Sequence, residues 1–299
     1  MSDTVIIANP ASGRGLGARL IPSVRDAFAA TGVSDLRTTT RSGDEATLVN
    51  AALADGAKTI VVVGGDGTWG RCAGAVLAAN AGDRVRLAFL SAGTGNDFAK
   101  NLGAPDRDPA AMARLVADPA RERVVDAGAL ESGGKTHWFL NVVGFGFDAV
   151  VLEDTSRGGS LGGNAVYIMA ALKRILRYEG IAYTIGGSNG VTTVGMMLVI
   201  SNGHTFGGAF RVAPAARIND GVLNMVQFGD VFGWKRIPLF LSAMKGTHLS
   251  HPHVRERRGH LFELSFIGAP MCDLDGELVQ LASRDVTVRC AKGALRVVA

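Results

Sequence analysis

Residues 59–68 read Thr-Ile-Val-Val-Val-Gly-Gly-Asp-Gly-Thr, a continuous β-branched run that breaks into glycines. Such a run is what a strand buried on both faces of a parallel sheet requires. Helical spacing follows over about 69–80, so the order is strand, glycine loop, helix. Glycines let backbone N–H groups approach an anion closely, and a helix start adds free donors and a favourable dipole. Asp66 lies inside this loop. A carboxylate beside phosphates is repulsive unless a metal or a donor network neutralises it, which points to Mg²⁺. For an isolated Gly-Asp-Gly, a tight turn with no ligand is the simpler reading.

Two companion loops change that balance. Residues 90–98, Leu-Ser-Ala-Gly-Thr-Gly-Asn-Asp-Phe, repeat the arrangement after the next apolar run at 87–90. Residues 9–15, Asn-Pro-Ala-Ser-Gly-Arg-Gly, do so after the first run at 5–8. Between them the spacing predicts helices over 16–30 and 44–53, a strand over 36–40, and helices near 97–102 and 109–117. Strands separated by helices of this length mean βαβ units and a parallel sheet. The carboxyl ends of parallel strands face one crevice, so three polar loops leaving three strands would line one mouth, with a nucleotide as natural occupant. Neither GxxxxGK[ST] nor GxGxxG with a ribose-binding acid is present, which disfavours P-loop and standard dinucleotide-binding proteins.

Beyond about residue 122 the texture changes. Segments 123–129, 136–143, 181–185, 192–201, 222–228, 261–267 and 286–289 are short, rich in Val, Thr and Phe, and separated by Gly, Asn or Asp turns. That rhythm predicts an antiparallel sandwich, interrupted by helices at 164–178 and 233–246. The former would bury Val166, Met169, Leu172 and Leu176, with Lys173, Arg174 and Arg177 alongside. The predicted organisation is an α/β domain over 1–125 and a β-sandwich domain over 126–289, with 290–299 able to pack back onto the first.

Composition narrows the class. The chain has 299 residues, 47% hydrophobic and 19% charged, enough apolar surface for folded domains rather than a disordered chain. The net charge, 31 − 27 = +4, suits an anionic ligand or membrane surface without deciding between them. Aromatic residues are only 6% and no basic block occurs, which argues against nucleic acid. Three cysteines without CxxC spacing predict no disulfide framework or zinc ribbon. The start lacks the basic and apolar regions of a signal peptide, and no run of about 18 apolar residues occurs, so a cytoplasmic protein is expected.

Asn9-Pro10-x-Ser12-Gly13, the 64–68 loop and Gly93-Thr94-Gly95-Asn96-Asp97-Phe98-Ala99 resemble the diacylglycerol kinase catalytic-domain family, which includes bacterial soluble lipid kinases and is similar to sphingosine and ceramide kinases. The likeness continues through Val125-Asp126-Ala127-Gly128, Asn141, Gly144-Phe145-Gly146, Gly207-Gly208, Ala213-Pro214, Asn219-Asp220-Gly221 and Asp275-Gly276-Glu277, in order along nearly the whole chain. The resemblance implies a nucleotide domain and a β-sandwich domain flanking a site for ATP-dependent phosphorylation of a lipid hydroxyl, with diacylglycerol giving phosphatidic acid. It implies ATP contacts from Asn9, Pro10, Ala11, Ser12, Gly13, Thr39, Gly64, Gly65, Asp66, Gly67, Thr68, Trp69, Gly70 and Thr94. It assigns Glu277 as general base, with Asp275 and Asp66 also in the catalytic set. Arg217, Asp220 and Val222 would match a structural Mg²⁺ site, and Asp66, Asp97 and Asp126 an acidic network around catalytic Mg²⁺.

Read from the residues alone, Asp275-Gly276 between apolar runs is first a hairpin turn, and Asn219-Asp220-Gly221 likewise a turn before it is a metal site. One departure stands out. Members of the family often continue the 64–68 motif with an apolar residue and then Asn-Glu, where this chain has Trp69-Gly70-Arg71. The alternatives are therefore a kinase of another lipid or sphingoid acceptor, less readily of NAD, or a non-catalytic nucleotide- or lipid-binding regulator. His248, His251, His253 and His260, with Arg255, Arg257 and Arg258, read as a solvated or anion-facing loop rather than a zinc site. With the basic edge of the 164–178 helix, they could rest on anionic lipid in a peripherally membrane-associated protein. That helix could equally be an ordinary core-packing one, and a homodimer stays open.

Overall fold

A computed structural model describes residues 3–157, 174–187, 190–205, 207–208 and 210–299. Two compact units are present, one of 1–126 with 292–299, the other of 127–291.

In the first unit, β1 (Thr4–Ala8), β2 (Leu36–Thr38), β3 (Thr59–Gly64) and β4 (Arg86–Ser91) form a parallel sheet in the order β2-β1-β3-β4. Every residue of β1 and β3 is buried, as a strand covered on both faces must be. Register is set by Ile6 opposite Leu36, Val5 opposite Ile60 and Ile60 opposite Leu87. The far end of β15 (Asp285–Val298) adds in parallel beside β4, Arg296 opposite Arg86. Helices α1 (Ser12–Ala29), α2 (Asp44–Ala54), α3 (Asp66–Ala78), α4 (Asp97–Leu102) and α5 (Pro109–Ala117) connect and cover the sheet. Val24, Phe28, Met112 and Val116 join Ile6, Val61, Val63 and Leu90 in one core. Because β1 lies between β2 and β3, the connections leave β1 and β3 in opposite directions, which opens a crevice at their carboxyl ends.

The second unit is antiparallel. Its strands are the latter part of β5 (Glu122–Ser132), β6 (Lys135–Phe139), β7 (Val142–Gly146), β8 (Ile181–Ile185), β9 (Val191–Ser201), β10 (Leu223–Gly229), β11 (Val254–Gly259), β12 (Leu261–Phe266), β13 (Met271–Leu274), β14 (Glu277–Gln280) and the first part of β15. A path β14-β13-β7-β9-β8-β12-β15 carries β10 and β11 from β9, and β5 and β6 from β15. Leu198, Ile200, Phe145, Tyr183 and Val288 build the sandwich core. On the other side, Val199, Val226 and Phe228 pack under α6 (Phe147–Arg157) and α7 (Arg236–Lys245).

Four sequence expectations are corrected here. The single strand expected over 136–143 is two, β6 and β7, interrupted at Leu140-Asn141, whose N–H groups turn to Asp275 instead of a neighbouring strand. The stretch from His248 to His260, expected as a loop, contains an edge strand, β11, paired through Met225–Arg257 and Val226–Glu256; alternating charge hid it, because an edge strand half in water tolerates polar residues on both faces. Helix α6 was not expected, its apolar positions being few and its start a run of glycines and aromatics. Last, β15 is far longer than 286–289. Of the helix expected over 164–178, Val166, Met169, Leu172 and Lys173 lie outside the described residues, and Leu176, expected to be buried, is 48% exposed.

Candidate functional site

The three glycine loops of the first unit close on one another. From β1, the Asn9 amide donates to the Thr68 hydroxyl (2.9 Å), and the Ser12 and Thr68 hydroxyls lie 3.5 Å apart. The same Asn9 accepts from the Ala11 N–H, which holds the first loop in shape. Gly13 has φ of 56°, and a Cβ there would sit 2.1 Å from the Ala92 carbonyl oxygen of the third loop. A Cβ at Gly93 would sit 2.6 Å from the Gly65 Cα. Glycine is required at these positions because backbone meets backbone. The third loop is locked from within: the Asn96 amide, left-handed at φ 51°, accepts from the Gly93 N–H and donates to the Gly93 carbonyl.

Around this junction, Thr39 is buried at the end of β2, its N–H donated to the Ala8 carbonyl. Pro10 follows β1 directly, and Gly64 ends β3, packed against Thr68. Gly65 caps α3, whose first two turns contain Asp66, Gly67, Thr68, Trp69 and Gly70. Trp69 is fully buried against Phe89, so it supports the loops from beneath. Thr94 stands exposed at the tip of the third loop. The resulting surface is lined by N–H groups, hydroxyls and the start of a helix, which is what an oligophosphate requires.

Asp66 carries the charge. Its carboxylate accepts from the Phe98 N–H at 3.3 Å, across from α3 to the start of α4. Burial first, and the neighbouring Asp97 carboxylate second, raise its pKa to about 6. Lys100 pairs with Asp97 at 2.8 Å. Two adjacent carboxylates, one held above its ordinary range by desolvation, fit a divalent cation. Asp126 is buried and accepts from the Gly293 N–H at 2.7 Å. Among the described residues, no group of three or more His, Cys, Asp or Glu forms a ready-made metal cage, so any cation here would take part of its coordination from phosphate oxygens and water.

A pH signature follows. The folded-state pKa of about 6 exceeds the ordinary 3.8, so this group's contribution to stability is full below 3.8 and lost as pH rises through 6. With divalent cations chelated, Asp66→Asn should raise stability at pH 7–8 by on the order of 1–3 kcal/mol, converging with wild type towards pH 4. Urea melts across that range measure it; a variant less stable at pH 8 would contradict the assignment.

The departure at position 71 has a structural partner. Arg71 on α3 donates to the Glu45 carboxylate of α2 at 2.8 Å, and Glu45 is 1% exposed. The guanidinium is thus committed to a buried acid. Arg71→Ala would strand that charge, and removing one partner of such a pair costs about 3 kcal/mol, read as a lowered denaturant midpoint. An unchanged midpoint would show that the pair is immaterial.

In the second unit, β13 and β14 form a hairpin with Leu274 opposite Glu277. Its two turn residues are left-handed, Asp275 at φ 50° and Gly276 at 87°, the signature of a tight two-residue turn. The Asp275 carboxylate does more than turn the chain. It accepts from the N–H groups of Leu140 (2.6 Å), Asn141 (2.9 Å) and Val142 (2.8 Å). Asn141 and Asn202, both buried, extend the network to the Thr205 and Leu140 carbonyls. Asp273, also buried, accepts from the Gly276 N–H. Glu277, half-buried, is the first residue past this braced turn. Sequence reasoning missed the bracing role of Asp273 and Asn202; a carboxylate inside the apolar run 271–274 was the available signal.

The turn at 219–221 is also engaged. One Asp220 oxygen pairs with Arg258 of β11, the other accepts from the Val222 N–H, and His260 bonds the Gly221 carbonyl. Arg217 is exposed. A cation at Asp220 would compete with Arg258. Of the four clustered histidines, His248 is fully buried, stacked on Phe228 and bonded to the Val212 carbonyl, so it belongs to the core.

A diacylglycerol kinase catalytic-domain model matches residues 3–129, and a model of the YegS C-terminal NAD kinase β-sandwich-like domain matches residues 141–299. The chain belongs to the diacylglycerol kinase family of lipid kinases. Among its relatives, the "Probable lipid kinase YegS-like" of Xanthomonas campestris pv. campestris is 32% identical over 270 residues, covering 88% of this chain and 85% of that protein. The "Diacylglycerol kinase" of Mycobacterium tuberculosis strain H37Rv is 29% identical over 214 residues, 71% of this chain and 68% of that protein. A crystal structure of a diacylglycerol kinase from Bacillus anthracis Sterne superposes with a TM-score of 0.71 at 18% identity, covering 99% of this chain and 96% of that one; at that identity it speaks for the fold. The parallel sheet with glycine loops and the antiparallel second unit are thus the architecture of this lipid kinase family. No helix among the described residues is long and apolar enough to cross a membrane.

Proposed function

We propose that this lipid kinase transfers the γ-phosphoryl group of ATP to a lipid hydroxyl, with diacylglycerol the acceptor and phosphatidic acid the product. The observation that carries the reading is the mutual closure of the loops after β1, β3 and β4, where Asn9 bonds Thr68 and glycine backbones meet at Gly13–Ala92 and Gly65–Gly93. Asn9, Pro10, Ala11, Ser12, Gly13, Thr39, Thr94 and the 64–70 segment bind the nucleotide in this reading, except Trp69, whose buried side chain backs the loops instead of touching the ligand. Asp66 and Asp97 would hold Mg²⁺, and the bound ion would offset the phosphate charge that their carboxylates otherwise repel, while Asp126 is engaged with the Gly293 N–H. Glu277 accepts the acceptor's hydroxyl proton as its oxygen forms the bond to the γ-phosphorus and ADP leaves. Asp275 positions Glu277 rather than reacting.

With Arg71 committed to Glu45, the charge reversal that motivated a non-catalytic reading does not bring a free base to the phosphate loop. The acceptor is chosen by experiment: transfer of label from γ-³²P-ATP, with and without Mg²⁺, to diacylglycerol, monoacylglycerol, sphingosine, ceramide and NAD. Label in phosphatidic acid that requires Mg²⁺ is expected. Label confined to another acceptor would overturn the choice of diacylglycerol, and no label in any would overturn the catalytic reading.

A further inference from the structure

The turn leading into α7 holds two large aromatic side chains in water. Phe232 is 91% exposed and Trp234 71% exposed, one on each side of Gly233, which turns left-handed at φ 57°. The apolar surface continues along the helix. Trp234, Pro238, Leu241 and Lys245 recur at spacings of four, three and four, so they form one stripe, and all four are exposed. The opposite face is equally apolar: Leu239, Phe240 and Ala243 are buried, with Phe240 against Phe147 and Phe210. A helix apolar on both sides has one face too many for water.

The tip is built, not frayed. Arg236, buried at the first position of α7, spends its guanidinium on the carbonyls of Val231, Ile175 and Tyr178 and on the Asp230 carboxylate. That arrangement fixes the turn from below and neutralises Asp230, the acid nearest the tip in sequence. The exposed charges that remain on the stripe and its lead-in are Lys235 and Lys245, both positive.

We infer that residues 232–235 and the outer face of α7 dock on an anionic lipid bilayer. Trp234 settles at the headgroup boundary, its indole N–H towards water, the wholly apolar Phe232 enters towards the acyl chains, and Lys235 and Lys245 meet lipid phosphates. The surface is too small for a stable second copy. At about 150–250 Å² per buried aromatic, the two rings and Leu241 offer roughly 500 Å², short of the ~800 Å² per partner that stable dimers use. The inference rests on the proposed reading of the chain as a kinase whose acceptor lives in a bilayer. It moves the membrane contact from the His248–His260 stretch, whose first histidine is core, to the turn before α7.

Trp69 is fully buried and Trp138 half-buried, so Trp234 is the indole most open to water. The test is co-sedimentation of the full chain with phosphatidylcholine vesicles containing or lacking phosphatidylglycerol, with tryptophan emission read in parallel. Wild type should sediment with the anionic vesicles and its emission should shift to shorter wavelength. Phe232→Ser/Trp234→Ser should lose at least about tenfold in vesicle affinity and lose the shift, with unchanged thermal unfolding and an unchanged rate on detergent-dispersed acceptor. Vesicle binding that survives the double variant, wild type that ignores vesicles, or a wild-type dimer that the double variant dissolves would each overturn the docking surface. Failure of the kinase reading looks different: no lipid gains label even in detergent.

Discussion

Glu277→Gln is expected to lower turnover roughly 10²–10⁴-fold, the range that a positioned general base supplies, with little change in nucleotide affinity or unfolding midpoint. The amide keeps the shape of the side chain at the head of β14 and removes its charge and its ability to take a proton. Its surroundings favour this separation, because the turn before it is held by Asp275 and Asp273, not by Glu277's place opposite Leu274. Single-turnover phosphorylation of the acceptor, with calorimetric nucleotide binding beside it, reads both quantities. A folded Glu277→Gln enzyme with near-wild-type turnover would remove the residue from the chemistry and leave it a hairpin residue.

Asp275→Ala should act in the opposite way, through stability. Its carboxylate satisfies three consecutive backbone N–H groups, those of Leu140, Asn141 and Val142. Hydrogen bonds to a charged acceptor contribute about 1.5–3 kcal/mol each, and alanine is poorly suited to the left-handed conformation at φ 50°. Shared among one side chain these terms are not additive, so a total loss of about 4 kcal/mol is the expectation. For a chain of 299 residues that means a fall in melting temperature of roughly 6 °C. Asp275→Asn keeps one acceptor oxygen and the left-handed tolerance, so it should recover part of the loss. If Asp275→Ala melts like wild type but is inactive, Asp275 belongs to the reacting groups and not to the brace.

The two variants also separate what could be read in the residues from what could not. Strands β1, β3 and β4 were legible because a strand buried on both faces must be apolar throughout, and 5–8, 59–63 and 87–90 are. Helices α4 and α5 lie where 97–102 and 109–117 were expected, but the Asn96 amide expected to cap α4 closes its own loop on Gly93 instead, whereas Asp108, ahead of Pro109, accepts from the Ala111 N–H at the start of α5. Strand β11 was not, since Arg255, Arg257 and Arg258 look like any solvated stretch until β10 supplies hydrogen-bonding partners. The break between β6 and β7 was hidden for a related reason. Nothing near Leu140 announces it; its cause, Asp275, is more than 130 residues away.

What the residues determined by themselves was local: which runs are apolar enough to be buried, where glycine frees the backbone, and which acids stand in those turns. Tertiary structure alone decided which distant groups meet. It committed Arg71 to Glu45, raised Asp66 by burial beside Asp97, and set Phe232 and Trp234 in water on a turn pinned by Arg236. The physical reason is that periodicity and turn chemistry act over a few residues along the chain. Desolvation, ion pairing and exposure instead depend on neighbours that only the fold brings within a few ångströms.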